Sequence, residues 1–319
     1  MKNVAVTGAG GFLGRKIIER LLPHPEVNSL LAIDIKPLPQ DFQSGKLTFY
    51  QLDIRDKQLA ELFAQYEVDT VFHLAFVVNP IRNLKEMESI NVEGSKNVLN
   101  AVVSQNINHL LVSSSTSAFG AFPDHPTWLT EDTPVRKHNR YMYARNKYEV
   151  EKLLETFVRE NPHIKTSIIR PCIICGPQLD NYVSRMLVSW PFLIQIGRRR
   201  PYMQFVHEED VVDMFMMIFE NEFTGIYHCV GEGVISTEEI AKLAGIKILP
   251  LPPWIAYPLA NLLYLLRFPG VEARAGMLDF IRYRWTASDE KTREALGFKP
   301  RYSSEQVVKI LIHAKKSKE

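Results

Sequence analysis

Short β-rich runs alternate with longer stretches of helical apolar spacing through the first half of the chain. Residues 3–7 (NVAVT), 29–33 (SLLAI), 47–52, 70–74 (TVFHL) and 109–113 (HLLVS) read as strands, and a sixth opens at 166–169. Between them, 12–22, 57–66, 83–104 and 141–160 carry apolar residues three and four apart. That spacing makes one helix face apolar, whereas a short unbroken apolar run suits a strand covered on both faces. Strand–helix alternation of this kind implies parallel strands with crossover helices on both sides, a doubly wound α/β sheet.

After Pro177 the rhythm breaks and prolines and aromatics become frequent. Residues 1–176 are expected to form a Rossmann-type dinucleotide-binding domain. The runs QFVHEEDVVDMFMMIFE and GIYHCVG, within 203–230, read as a helix and strand that return to it. Residues 177–202 and 231–319 are expected to form a smaller C-terminal substrate-binding lobe. Glu208, Glu209 and Asp210 read as a helix start, where acids are favoured. Residues 248–266 contain no charge, but Pro250, Pro252, Pro253 and Pro258 interrupt them. A helix over 254–266 would reach only about 20 Å, short of the roughly 30 Å of a bilayer core. No membrane span is expected. The segment reads first as a buried or substrate-lobe helix, and second as a surface that touches lipid or admits an apolar substrate.

Lys+Arg less Asp+Glu is 38 − 36 = +2, so the chain lacks the basic excess of a nucleic-acid-coating protein. With 46% hydrophobic and 23% charged residues the balance is that of a folded globule. Three cysteines are too few for a disulfide framework, and the apolar start VAV is cut at once by glycines, so a cytoplasmic location is expected. Cys172 and Cys175 are three apart in an apolar run read as one strand, which sends them to opposite faces. They read as packed thiols, and no metal site is expected.

Residues 7–14 read TGAGGFLG, between a strand and a helix. Gly8 permits a tight turn, Gly11 lets the backbone approach a pyrophosphate, and Gly14 lets helix pack on strand, with Gly10 extra. Phe12 and Leu13 open the helix whose free N–H groups and dipole favour phosphates. Asp34, at the end of LLAID twenty residues beyond Gly14, suits the adenosine ribose hydroxyls and disfavours a 2′-phosphate, which points to NAD over NADP. Tyr143 and Lys147 form YxxxK and share one helix face. A neighbouring ammonium is expected to lower the tyrosine pKa and make it a usable acid/base. The run Ser113-Ser114-Ser115 ends the fifth strand, where a hydroxyl can hold a substrate oxygen.

TGAGGFLG, Asp34, LDIRD, HLA at 73–75, NVEGSKNVL, VSSSTSAFG, YARNK, RPCIICGP, QFVHEEDVV and LGFKP span nearly the whole length. With these motifs the chain resembles the extended short-chain dehydrogenase/reductases of the NAD-dependent epimerase/dehydratase group. The resemblance implies a catalytic set of Ser115, Tyr143 and Lys147, with Tyr143 as acid/base and Lys147 also on the nicotinamide ribose. It implies Asp53 and Ile54 against the adenine, Leu74 and Ala75 along the coenzyme path, Ser113 beside it and Pro171 near the nicotinamide. It also implies a homodimer through the two long helices.

Three departures narrow the activity. Thr116 and Ser117 stand where sugar 4,6-dehydratases of the group carry an Asp-Glu pair, so dehydration is disfavoured. Phe119-Gly120 replaces the usual YG. Ile173 stands at or near an epimerase asparagine, and RPCIICGP is closer to 3β-hydroxysteroid dehydrogenase-like reductases. The expected activity is NAD-dependent hydride transfer at a secondary alcohol or ketone of a small-molecule substrate, with a nucleotide-sugar epimerase as the first expectation. Arg200, in the run 198–200, is the candidate for a substrate phosphate. A reductase of an apolar ketone is the alternative. A non-catalytic NAD-binding scaffold or redox sensor is the reading from another class, although it would not need the tyrosine and lysine.

Overall fold

Strand–helix units lay down the first half of the protein in the expected order. The computed structural model describes residues 1–39, 42, 44–178, 182, 185 and 191–316. Strands β1 (Lys2–Thr7), β2 (Val27–Asp34), β3 (Leu47–Gln51), β4 (Thr70–His73), β5 (His109–Ser113) and β6 (Lys165–Pro171) alternate with helices α1 (Phe12–Leu21), α2 (Gln58–Gln65), α3 (Leu84–Glu88), α4 (Gly94–Ser104) and α5 (Met142–Glu160). Short strands β7 (Ile173–Cys175), β8 (Phe192–Ile196), β9 (Tyr202–Met203) and β10 (Phe205–His207) follow, then helix α6 (Glu208–Asn221) and strand β11 (Gly225–Cys229). Seven strands form one sheet in the order β11-β6-β5-β4-β1-β2-β3, and every pairing in it is parallel. The returning strand β11 runs beside β6, from Gly225 opposite Ser167 to Cys229 opposite Pro171.

Both sheet faces are apolar because side chains alternate along each strand. Val4, Val6, Ala32, Phe72 and Leu111 face α1 and α6, which contribute Ile17, Leu21, Phe215 and Phe219. Ala5, Leu31, Val71 and Leu110 face α2, α4 and α5, which contribute Phe63, Val98 and Leu154. The remaining elements are β12 (Ile235–Ser236), α7 (Thr237–Ala244), β13 (Lys247–Leu251), α8 (Pro253–Leu265), α9 (Glu290–Leu296) and α10 (Ser304–Lys316).

The structure refines three local expectations. Residues 84–104 are helical throughout, as expected, but a π-helical turn at Ser89–Glu93 sits between α3 and α4. In that turn Asn91 accepts the Val77 N–H at 2.7 Å, and Ser95 donates to the Asn91 carbonyl at 2.6 Å. The side-chain bonds thus tie the widened turn to the loop after β4. The run SIIRPCIIC is two strands. The break falls at Cys172, after Pro171, which brings no N–H to a ladder, and β7 pairs with β10 outside the main sheet. Cys172 and Cys175 end in different cores. Lastly, of the readings of 248–266 burial does not hold, while a helix outside the main sheet does: of the α8 residues only Ala256 is fully covered.

Candidate active site

A cavity of about 710 Å³ runs along the C-terminal ends of β1, β4, β5 and β6, the edge where doubly wound sheets take their ligands. At one end β1 turns into α1 through Gly8, whose φ is +77°. A side chain there would fall 2.5 Å from the Ala75 backbone nitrogen, and one on Gly14 would fall 2.2 Å from the Gly8 carbonyl. Only glycine allows this turn to close. No side chain caps α1, so its first-turn N–H groups are left for an anionic ligand. Asp34 holds the floor of the turn, accepting the Gly10 N–H at 3.0 Å and the Lys36 N–H at 2.9 Å. Asp53 is gripped by Arg55 at 2.7 and 3.0 Å, and hydrogen bonding to Arg55 keeps its carboxyl below the usual range. Gly10, Gly11, Phe12, Leu13, Ile54, Leu74, Ala75, Ser113 and Pro171 line the same cavity. These residues form a backbone cradle followed by an acidic seat, which fits a dinucleotide.

Beyond the cradle stand Ser115, Tyr143 and Lys147, all on the cavity wall. Ser115 caps the short 3₁₀ turn Thr116–Phe119 and accepts the Ser117 N–H at 3.1 Å. Its proton is turned to the neighbouring Tyr143 oxygen. The Tyr143 ring packs edge-on to Phe76 at 5.7 Å. Lys147 donates to the Ser113 carbonyl at 2.8 Å and lies 3.6 Å over the Phe76 ring, but 6.0 Å from the centre of Tyr143.

This geometry reverses one sequence-based expectation. Burial pushes the Tyr143 phenol up, while hydrogen bonding to Ser115 and Ser117 pulls it back. The ammonium is turned to a carbonyl and to Phe76, and burial lowers Lys147 itself to about 7. The unfolded chain keeps the lysine proton up to about pH 10.5, whereas the folded protein releases it near 7. Stability without coenzyme should therefore rise between pH 7 and 9, by at most about 1.4 kcal/mol per unit from this group. In urea unfolding followed across that window, Lys147→Met should flatten the rise.

Two buried networks hold the site. Glu151, one turn beyond Lys147 on α5, accepts Arg170 from β6 at 2.9 Å on each oxygen and also receives the Ser114 hydroxyl. The other network begins under the glycine turn. Ser95 donates to Asn91, so its oxygen accepts from His73 Nε2 at 2.9 Å, and His73 Nδ1 accepts the Thr7 hydroxyl at 2.8 Å. Burial lowers His73 to about 3, and the imidazole is neutral.

A profile of the NAD dependent epimerase/dehydratase family matches residues 4–229. The chain belongs to that family. An uncharacterized protein of Mycobacterium tuberculosis is 24% identical over 95% of this chain and 81% of its own length. UDP-glucose 4-epimerase of Mycolicibacterium smegmatis is 28% identical over 74% of this chain and 79% of its own. The decarboxylating sterol-4-alpha-carboxylate 3-dehydrogenase of Candida albicans is 25% identical over 56% and 52%. The solved UDP-glucose 4-epimerase of Thermotoga maritima, with UDP-glucose, superposes with a TM-score of 0.71 at 20% identity, covering 99% of this chain and all of that one.

For this member of the NAD dependent epimerase/dehydratase family, the far end of the cavity is what sequence reasoning missed. Val78, Ile81, Met203, Met277, Phe280 and Trp285 line it. They come from a loop and from irregular segments without periodic pattern, so no spacing marked them. Arg200 does not line the cavity; it pairs with Glu238 at 2.7 Å on an exposed surface. Much of the 177–202 stretch lies outside the described residues. The acids Glu208, Glu209 and Asp210 do occupy the first turn of α6, and Glu208 additionally faces the cavity.

Proposed function

We propose that the protein binds NAD along the cradle and transfers hydride reversibly at a secondary alcohol or ketone carried on a largely apolar body. Gly8 to Gly14 would hold the diphosphate, Asp34 the adenosine ribose, Asp53 and Ile54 the adenine, and Lys147 the nicotinamide ribose. Bound NAD supplies the hydride acceptor or donor. Ser115 would shift its hydroxyl proton from Tyr143 to the substrate oxygen and hold that oxygen beside Tyr143. Tyr143 takes the hydroxyl proton during oxidation and returns it during reduction. The Ser115 and Ser117 hydroxyls beside the phenol favour its ionised form. Phe76, which packs against Tyr143 and Lys147, helps exclude water.

The observation that carries the substrate class is the apolar and aromatic far wall. Apart from Lys147, the cations among the described lining residues are Arg15 and Lys36, which follow the glycine turn and Asp34 in the chain. A nucleotide sugar would bring a second diphosphate to a far wall that, among the described residues, carries no arginine. Similarity to a UDP-glucose 4-epimerase supports nucleotide-sugar epimerisation as the second reading, in which the same residues oxidise and re-reduce one carbon. Similarity to a sterol dehydrogenase supports the first.

The test incubates the purified protein with NAD and either a panel of 3β-hydroxysteroids and other apolar secondary alcohols, or UDP-glucose and UDP-galactose. NADH formation with the apolar panel is the expected result. Interconversion of the UDP-sugars, with no NADH from the panel, overturns the apolar reading. A homodimer through α4 and α5, which expose Val103 and Val158, belongs to the same proposal and is checked by analytical ultracentrifugation.

A further inference from the structure

Helix α8 is built inside out. At 100° per residue, Trp254, Leu265, Pro258, Leu262, Ile255, Leu266 and Leu259 fall within an arc of roughly 140°. Apart from the proline, their exposures run from 36% for Ile255 to 76% for Trp254. The inward arc carries the small and polar residues. Ala256 and Ala260 pack on Ala275 and Leu278, Tyr257 donates to buried Asp279 at 2.6 Å, and Asn261 accepts the Ala275 N–H at 3.1 Å. The helix is thus pinned to the protein by its polar side and offers its large apolar side outward. Phe268, just beyond its end, is 52% exposed. An apolar helix face of this size on a folded protein marks a contact.

The charges around it select the occupant. Residues 248–271 contain no acid. Arg267 follows α8 directly, and Arg82 and Arg274 lie 5.3 and 5.7 Å over the Tyr264 ring. All three are exposed, and among the described residues none has an ion-pair partner. Glu272, the neighbouring acid, is taken by Arg185 at 2.7 Å. A second copy packed on this face by a two-fold axis would set these unpaired arginines against their own counterparts. An anionic lipid surface would neutralise them, while the apolar arc enters the acyl boundary and Trp254 sits at headgroup level.

We propose that α8, with Arg82, Arg267 and Arg274, docks the protein on an anionic phospholipid surface with the helix lying in the membrane plane. The docked face adjoins the cavity, because the segment beneath α8, Ala275–Ile281, supplies Met277 and Phe280 to the cavity wall. The inference stands apart from the hydride-transfer reading, since its test measures partition and not turnover.

The experiment floats the full chain, with NAD present, on vesicles of phosphatidylcholine alone or mixed with phosphatidylglycerol. The expected result is co-flotation with the mixed vesicles that weakens as salt is raised. Leu262→Asp with Leu265→Asp should lower the partition coefficient at least about tenfold. Arg267→Glu with Arg274→Glu should abolish the dependence on phosphatidylglycerol, each arginine contributing about fivefold. Retained circular dichroism and an unchanged urea-unfolding midpoint show that the variants are folded. The proposal is overturned by absence of flotation, by equal flotation on phosphatidylcholine alone, or by variants that float like the wild type. A dimer that dissociates in Leu262→Asp with Leu265→Asp, without vesicle binding, overturns it in favour of a second copy.

Discussion

Tyr143→Phe is expected to lower hydride transfer by about 10²–10⁴-fold, the usual worth of a positioned acid/base, while NAD affinity stays close to that of the wild type. The phenol oxygen is the only atom removed. The ring is held by its packing on Phe76, and the glycine turn and Asp34 lie at the other end of the cavity, so the coenzyme seat keeps its shape. The measurement pairs turnover on the substrate found in the panel with NAD titration by tryptophan fluorescence. Unchanged turnover removes Tyr143 from the mechanism. Equal loss of turnover and of NAD affinity shows that the phenol only supports the seat. No turnover in either protein under any substrate favours the non-catalytic scaffold.

The second large effect is on stability. Glu151→Ala should destabilise the fold by about 3–5 kcal/mol, because it strands the Arg170 guanidinium, 96% buried, without its carboxylate. Glu151→Gln keeps a hydrogen-bonding group in place but leaves the arginine charge uncompensated, and should cost less than Glu151→Ala. Replacing both partners by apolar residues of similar volume should recover much of the loss. Urea unfolding of the four proteins reads these differences. If Glu151→Ala loses less than about 1 kcal/mol, the pair is not what sets α5 against β6.

Much of the site was legible because its chemistry demands fixed spacings. Gly8 and Gly14 are forced by backbone approaches under 3 Å, and Asp34 by the length of one β–α–β unit, so both show in a single sequence. Tyr143 and Lys147 were placed correctly on one helix, yet their electrostatics were misread. Spacing reveals which side chains share a face, but not that Lys147 would turn to the Ser113 carbonyl and Phe76. The Ser89–Glu93 turn was hidden because apolar periodicity continues on both sides of it, and only the tertiary bonds of Asn91 and Ser95 expose the extra residue. For α8, the sequence left a buried or substrate-lobe helix and an exposed surface both open. Hydropathy is blind to which side of a helix finds a partner, and here the small residues found it. Arg200 was read from charge alone, and a charge on a loop carries no direction.

The cavity draws its two ends from different stretches of chain. The glycine-turn end belongs to residues before 172, while the other end adds Met203, Met277, Phe280 and Trp285 from later in the chain to Val78 and Ile81. Substitutions in the later stretch can therefore reshape the wall of the far end while the glycine turn keeps its form. Drift there should be readable as a change of ligand, and drift in the earlier stretch as loss of the cradle itself.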